Sequence, residues 1–228
     1  MNAAADADPH TLRLSIDAKA TVKIGPFARG GKSRVPTKAA DHDFRPLDTV
    51  TPVGVLLPAT NELLVTGVTS AVTSDCLVDR LEAWWEQLAP RFAEVTTLLL
   101  NLDNGPECHS RRTQFMHRLL GFVDRTGLTL KLAYYPPYHS KYNPIERCWG
   151  ILERHWNGSL LDSLQGTLDM IETMTWRGLH PVVDVITRLY RKGVRLAKAE
   201  MEAVEQRLDR DPDLGRWFIT IRPLAASG

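Results

Sequence analysis

The stretch from Thr96 to Glu107 reads TTLLLNLDNGPE: an almost wholly apolar run to Leu102, a carboxylate at Asp103, then the turn-forming Asn104, Gly105 and Pro106. A run this apolar between two helical patterns predicts a buried central strand that delivers Asp103 at its carboxyl end. On its amino-terminal side, Leu77, Leu81, Trp84, Trp85 and Leu88 recur at helical spacing over 74–92, behind a Ser-Asp start. On its carboxyl-terminal side, Phe115, Leu119, Leu120 and Val123 mark a second amphipathic helix, and Leu128 to Tyr134 a further strand. Helices and strands in this order point to an α/β domain.

Further toward the amino terminus, Leu12, Leu14 and Ile16 alternate with Arg13 and Ser15 up to Asp17, so a second strand also ends in a carboxylate. Residues 1–10 are rich in Ala and Asp and are expected to form a flexible tail. Residues 25–52 include GPFARGGKSRVPTK and DHDFRP and are expected to be an irregular insertion, with short strand pieces around Val22 to Ile24. Val53 to Leu57 and Leu63 to Val68, joined through PATNE, predict a β-hairpin.

Past Tyr134, the segment YYPPYHSKYNP is held out of helix, because Pro136 and Pro137 lack a donor and bias the residues before them toward extended backbone. A helix then begins with Asn143 as N-cap, Pro144 at the first position and Glu146 at the third, followed by the apolar stripe Ile145, Trp149, Leu152 and Trp156. Helical patterns continue over 160–176, 181–191 and 198–208, and Trp217 to Ile221 reads as a strand. The expected organisation is a core domain over 11–176 and a mainly helical extension over 177–228 that ends in a short strand.

The 228 residues, 43% hydrophobic and 24% charged, suffice for one large domain. Lys and Arg total 28 against 27 Asp and Glu, so any acidic partner must be met by local basic patches, and a histone-like role is excluded. Cys76, Cys108 and Cys148 show no CxxC spacing, which argues against a disulfide framework or a thiolate zinc site. No apolar run approaches the ~18 residues that span a bilayer, and the first residues lack a signal-peptide pattern. A cytoplasmic protein without a membrane partner is expected.

Three carboxylates stand out by position: Asp17 and Asp103 at strand ends and Glu146 in the first turn of a helix. If the first and fourth strands are neighbours, about 4.8 Å apart, Asp17 and Asp103 face one point and Glu146 approaches from its helix. Converging carboxylates resist ionising together, so a site that keeps them charged needs cations, and oxygen donors favour Mg²⁺ or Mn²⁺ over zinc. Two such ions about 3.5 to 4 Å apart suit in-line phosphoryl transfer. Each residue also has a plain structural reading. Glu146 is in place to complete an Asn143 cap, Asp17 to terminate a strand, and Asp103 to make an Asp-Asn-Gly turn.

The wording around these residues carries more. LSIDAK, LLLNLDNGPE and YYPPYHSKYNPIERCWGILERHW resemble the three acidic blocks of DDE transposases, whose catalytic core is RNase H-like. The proline-rich loop followed by NPIE and a Trp-bearing helix is similar to the third block of bacterial insertion-sequence transposases related to the mariner/Tc1 group. DHDF after the first strand and the tail elements MTWRGLHPVV, YRKGV and RWFITIRP resemble the Rhodopirellula-type DDE transposases more closely, and the resemblance runs from about Leu12 to Pro223. It implies an RNase H-like mixed β-sheet flanked by helices, with a helical C-terminal extension. It implies Asp17, Asp103 and Glu146 as catalytic metal ligands for two Mg²⁺ or Mn²⁺ ions. The implied activity is cleavage of element ends with water, then joining of the freed 3′-hydroxyl to target DNA.

The partners so implied are element and target DNA, met by a homo-oligomer in the bacterial cytoplasm or nucleoid. Lys19, Asn104, Lys141 and Arg147 adjoin the acidic positions and are the candidate DNA-binding residues. Tyr134, Tyr135, Tyr138 and Tyr142 suit either base stacking or loop packing. Transposases of this kind carry a helix-turn-helix region ahead of the core. This chain starts about a dozen residues before its first catalytic strand, so a truncated or split transposase is expected. Two other readings stay open: a non-catalytic remnant that binds DNA or full-length subunits, and a metal-dependent nuclease of the same fold.

Overall fold

The computed structural model describes residues 1–27, 29–32, 38–39, 45–135 and 143–224. In chain order its elements are α1 (Asn2–Ala7), β1 (Thr11–Ala18), β2 (Val22–Ile24), β3 (Asp48–Leu57), β4 (Glu62–Val68), α2 (Ser74–Leu88), β5 (Thr97–Leu102), α3 (Thr113–Thr126), β6 (Thr129–Tyr134), α4 (Pro144–His155), α5 (Leu164–Glu172), β7 (Val182–Ile186), α6 (Lys198–Gln206), β8 (Leu208–Arg210) and β9 (Phe218–Ile221). The strands form one mixed sheet in the order β7-β4-β3-β1-β5-β6-β9-β8, with β2 paired to β3. The three strands β1, β5 and β6 run parallel at its centre, while β3 and β4 form the antiparallel hairpin beside them.

Period-two alternation sorts the side chains of these strands into two faces. Leu12, Leu14 and Ile16 of β1, Leu98, Leu100 and Leu102 of β5, and Leu130 and Leu132 of β6 face a core shared with α2 and α3, where Trp84, Leu119 and Phe122 are buried. On the other face, α4 and α5 cover the hairpin side: Ile145, Trp149, Leu152, Trp156, Leu168 and Ile171 pack on Val50, Leu56, Leu63 and Val65. The helix α3 ends where Gly127 takes the left-handed conformation, φ 72°, that a side chain resists. The next strand, β6, starts two residues later.

Several expectations are corrected. The amino-terminal residues are not a loose tail: α1 seats Ala5 against Leu99 and Ala133, and Asp6 takes a bidentate bond from Arg13 at 2.7 Å through each oxygen. Alanine-rich sequence favours helix, and the charge-assisted pair pins that helix to β1. The insertion over 25–52 is shorter than expected, because β3 begins at Asp48 and pairs with β2 through Val22↔Val50. The DHDF segment lies outside the described residues.

The helix expected over 181–191 is instead the strand β7, parallel to β4 and at the sheet edge. Its sequence VVDVI is dominated by β-branched residues, which pack on a pleated surface, and the open edge of β4 supplies the missing backbone partners. Periodicity over so short a segment cannot report that edge. The mainly helical extension expected over 177–228 is likewise corrected: its described part holds one helix, α6, and three strands, β7, β8 and β9, that join the sheet, β9 being the expected final strand. Among the described residues no helix is long and apolar enough to cross a membrane.

Candidate active site

The parallel pairing of β1 with β5 runs from Thr11↔Thr97 to Ser15↔Asn101. Continued two residues, the same register sets Asp17 level with Asp103, just past the end of β5. Both belong to the alternate positions that point away from the α2–α3 core. Opposite Asp17 on its other side stands Gly54 of β3. Two carboxylates at the carboxyl ends of neighbouring parallel strands are therefore a direct product of topology.

The third carboxylate depends on how α4 docks. Asn143, completely buried, precedes the helix, but its side chain makes no capping bond within α4. Its Nδ2 donates to the carbonyl of Ile16 at 3.2 Å, and its Oδ1 accepts from the Ser15 hydroxyl. Ser15 Oγ in turn accepts from the backbone N–H of Ile145 at 3.1 Å. The helix is thus capped from β1 rather than by its own N-cap residue. The expected Asn143 cap is corrected: capping moves to a neighbouring strand because Ser15 is fully buried and needs partners for both its proton and its lone pair. This cross-link ties the first turn of α4, with Glu146 in it, to the strand that bears Asp17. The Glu146 side chain makes no hydrogen bond or ion pair among the described residues, so the capping-box reading of Glu146 has no bond to support it.

Around Asp17 the electrostatics are unfavourable to charge. Burial, then the Asp103 carboxylate and more weakly Glu146, push its carboxyl up to about 7, against the opposing hydrogen bonds from Trp149 and the Ala18 backbone. Trp149 Nε1–H donates to Asp17 Oδ2 at 2.9 Å. The indole fits there because Gly54 has no side chain; a Cβ at that position would lie 2.7 Å from Trp149 Cη2. Asp103 is oriented by Cys108, whose Sγ stands 3.2 Å from Oδ1. Burial and the adjacent Asp103 charge hold that thiol well above its ordinary value, so it remains a protonated donor. Asp17, Asp103, Gly105, Glu107 and Cys108 line a pocket of about 190 Å³ at the strand ends, and Glu146 is not among its lining residues.

The other candidates fall differently. Asn104 accepts from the Ser110 N–H at 3.4 Å and closes the turn after Asp103. Arg147 is exposed and unpaired among the described residues. Lys19 is only 10% exposed, is paired with Glu153 at 2.5 Å, and lies over the Trp156 ring at 5.6 Å. Lys141, Tyr138 and Tyr142 lie outside the described residues. Tyr134 is core, its hydroxyl donating to the Cys108 carbonyl at 2.7 Å, whereas Tyr135 accepts from Asn2 at 3.3 Å. Sequence reasoning assigned Trp149 to the core alone and passed over Ser15. The available signals were a lone glycine in the apolar strand VGVLL, which marks a close approach, and a small hydroxyl on a buried strand.

The donors present are carboxylate oxygens, and among the described residues no Lys or Arg bonds to Asp17, Asp103 or Glu146. That donor chemistry fits a hard divalent cation. Among the described residues no group of three or more His, Cys, Asp or Glu side chains, Asp17, Asp103 and Glu146 included, is placed to hold a metal ion together.

A mixed sheet in this order, helices on both faces and acidic residues at neighbouring parallel strand ends, is the RNase H-like architecture of DDE transposases, a class of polynucleotidyl transferases that work with divalent metal ions. Residues 1–223 match the family described as the Rhodopirellula transposase DDE domain, and the chain belongs to that family. Its fold is similar to that of a solved Mos1 transposase paired-end complex with left transposon end, at TM-score 0.50 and 12% identity. The match covers 67% of this chain and 44% of the Mos1 chain, so this chain spans less than half the length of that transposase. No curated protein sequence matches it.

Proposed function

We propose that the chain is the catalytic domain of an insertion-sequence transposase, cutting DNA at the element ends and joining the freed 3′-hydroxyl to target DNA. Asp17, Asp103 and Glu146 are its catalytic carboxylates and hold two divalent ions, Mg²⁺ or Mn²⁺. The observation that carries this reading is the Asp17 carboxyl, raised to about 7 beside two like charges, with no Lys or Arg among the described residues bonded to any of the three. Acid groups gathered without compensation take up either protons or a cation from solvent.

When bound, such ions supply activation of an attacking oxygen and stabilisation of a leaving one. The chain itself orients the carboxylates. Trp149 holds one oxygen of Asp17 and Cys108 one oxygen of Asp103, leaving the second oxygen of each without a side-chain donor among the described residues. Ser15 and Asn143 fix the start of α4, so Glu146 approaches on a rigid helix rather than a loop. The DNA partner and a homo-oligomer on DNA belong to the same proposal, supported by the similar Mos1 structure, which is a paired-end complex with a transposon end. Such a protein works in the bacterial cytoplasm or nucleoid.

The test is calorimetric titration of Mn²⁺ into the chain and into Asp103→Asn, followed by a strand-transfer assay with end-labelled DNA. Metal binding lost in the variant, with labelled 3′-ends appearing in target DNA, is the expected result. Cleavage without joining identifies a nuclease, and binding in neither protein identifies a remnant.

A further inference from the structure

Beyond the acidic pocket, Ser110, Arg111, Glu205, Arg210, Gly215 and Arg216 line a cavity of about 420 Å³ between the loop that follows β5 and the β8–β9 hairpin. Three guanidinium groups there meet one carboxylate. Arg210 is engaged in the wall: its Nη2 donates to Glu205 Oε2 and to the Ser110 carbonyl, each at 3.0 Å, and its Nη1 to the Gly215 carbonyl at 3.2 Å. Those bonds hold the Glu205 carboxyl below its ordinary range, so its charge is matched by Arg210.

Arg111 and Arg216 remain. Both are exposed and make no ion pair among the described residues, and the Arg216 guanidinium is stacked on Trp217 at 5.0 Å. The stacking pre-orients a planar donor fork, and two such forks suit an anion with several acceptor oxygens. His109, in the turn between Cys108 and Ser110, adds no positive charge of its own: burial lowers its pKa, and the nearby Arg112, Arg111 and Arg216 lower it further against Glu107.

The cavity is built onto the acidic pocket. The Ser110 N–H bonds Asn104, the neighbour of Asp103, and the His109 N–H bonds the Gly105 carbonyl at 2.9 Å. Asp103 and Arg111 therefore stand at two ends of one closed turn. We infer that this cavity is a DNA-backbone phosphate site, in which Arg111 and Arg216 grip a phosphodiester of the same strand that presents its reacting phosphate to Asp17 and Asp103. The inference rests on the proposed DNA reading. It gives the C-terminal hairpin a function, since Arg216 reaches the site only because β9 pairs with β6.

The test measures binding of a short fluorescent duplex of mixed sequence by anisotropy, without divalent metal, from about 50 to about 200 mM salt. It compares the whole chain with Arg111→Ala/Arg216→Ala and with a charge-matched control, Lys192→Ala/Arg195→Ala, whose exposed residues line no part of the cavity. Circular dichroism confirms that each variant folds. Loss of the one phosphate held by both arginines lowers the slope of log K against log salt by about 0.9 in magnitude, and the control leaves it unchanged.

Wild-type binding with an unaltered slope in the cavity variant overturns the inference and spares the DNA reading. No duplex binding by the wild type overturns both. Inorganic phosphate bound by the wild type and lost in the variant, while the DNA slope stays the same, marks a free-anion site and also overturns it.

Discussion

Trp149 donates its indole N–H to Asp17 across a gap that exists because residue 54 is glycine. A residue on a helix thus orients a carboxylate on a strand, and a third element makes room for the contact. Trp149→Phe keeps the apolar packing and removes the donor. The Asp17 carboxyl then rises above about 7, because the lost hydrogen bond favoured its ionised form. A carboxyl-carbon NMR titration reads that shift, and weaker Mn²⁺ binding near neutral pH accompanies it. An unmoved titration midpoint removes the orienting role.

Gly54→Ala puts a methyl 2.7 Å from Trp149 Cη2 and 3.0 Å from Ile145 Cδ1. Overpacking of this kind costs about 1–3 kcal/mol, and the ring must tilt away from Asp17. Denaturant unfolding gives the stability loss. Indole fluorescence and metal affinity are expected to change together.

Ser15→Ala leaves the Ile145 N–H and the Asn143 amide oxygen without their buried partner. The expected loss is about 1–3 kcal/mol for unsatisfied buried groups, measured by chemical denaturation. Loosening the start of α4 also moves Glu146, so metal-dependent cleavage falls further than stability predicts. Ser15→Thr, which keeps the hydroxyl, restores part of both.

Glu146→Gln tests the opposite balance. Among the described residues its side chain makes no bond that the amide would lose, so stability stays within about 0.5 kcal/mol. Metal-dependent DNA cleavage is expected to be nearly abolished. A collapse in stability with cleavage intact would return Glu146 to a capping role.

The acidity of Asp17 sets a pH dependence with a definite sign. Between the ordinary carboxylate range and about 7 the folded protein keeps a proton that the unfolded chain has released. Stability without metal therefore falls as pH rises through that window and levels off above about 7. Asp17→Asn flattens the slope and is more stable than wild type at pH about 8 without metal. Saturating Mg²⁺ or Mn²⁺ reverses the wild-type slope, since a cation displaces the proton, and thermal unfolding across pH with and without metal checks both signs.

Much of the fold was legible because its signals are local. The apolar run TTLLLNL, the alternation LRLSID and the apolar stripes of α2, α3 and α4 are each decided within a few residues by burial and period. The positions of Asp17 and Asp103 at strand ends followed from the same patterns. Other features depend on what lies across the fold. The sequence VVDVI is a strand because β4 offers an open edge, and Lys19 is a half-buried partner of Glu153 because α4 packs over β1 and β3. Asn143 reads as a cap in one dimension, yet in three it hands that role to Ser15, more than a hundred residues upstream. Local chemistry thus determined which residues make strands, helices and acidic ends. Tertiary packing alone decided which of those ends meet, because register, burial and like-charge proximity arise only when distant segments share a sheet.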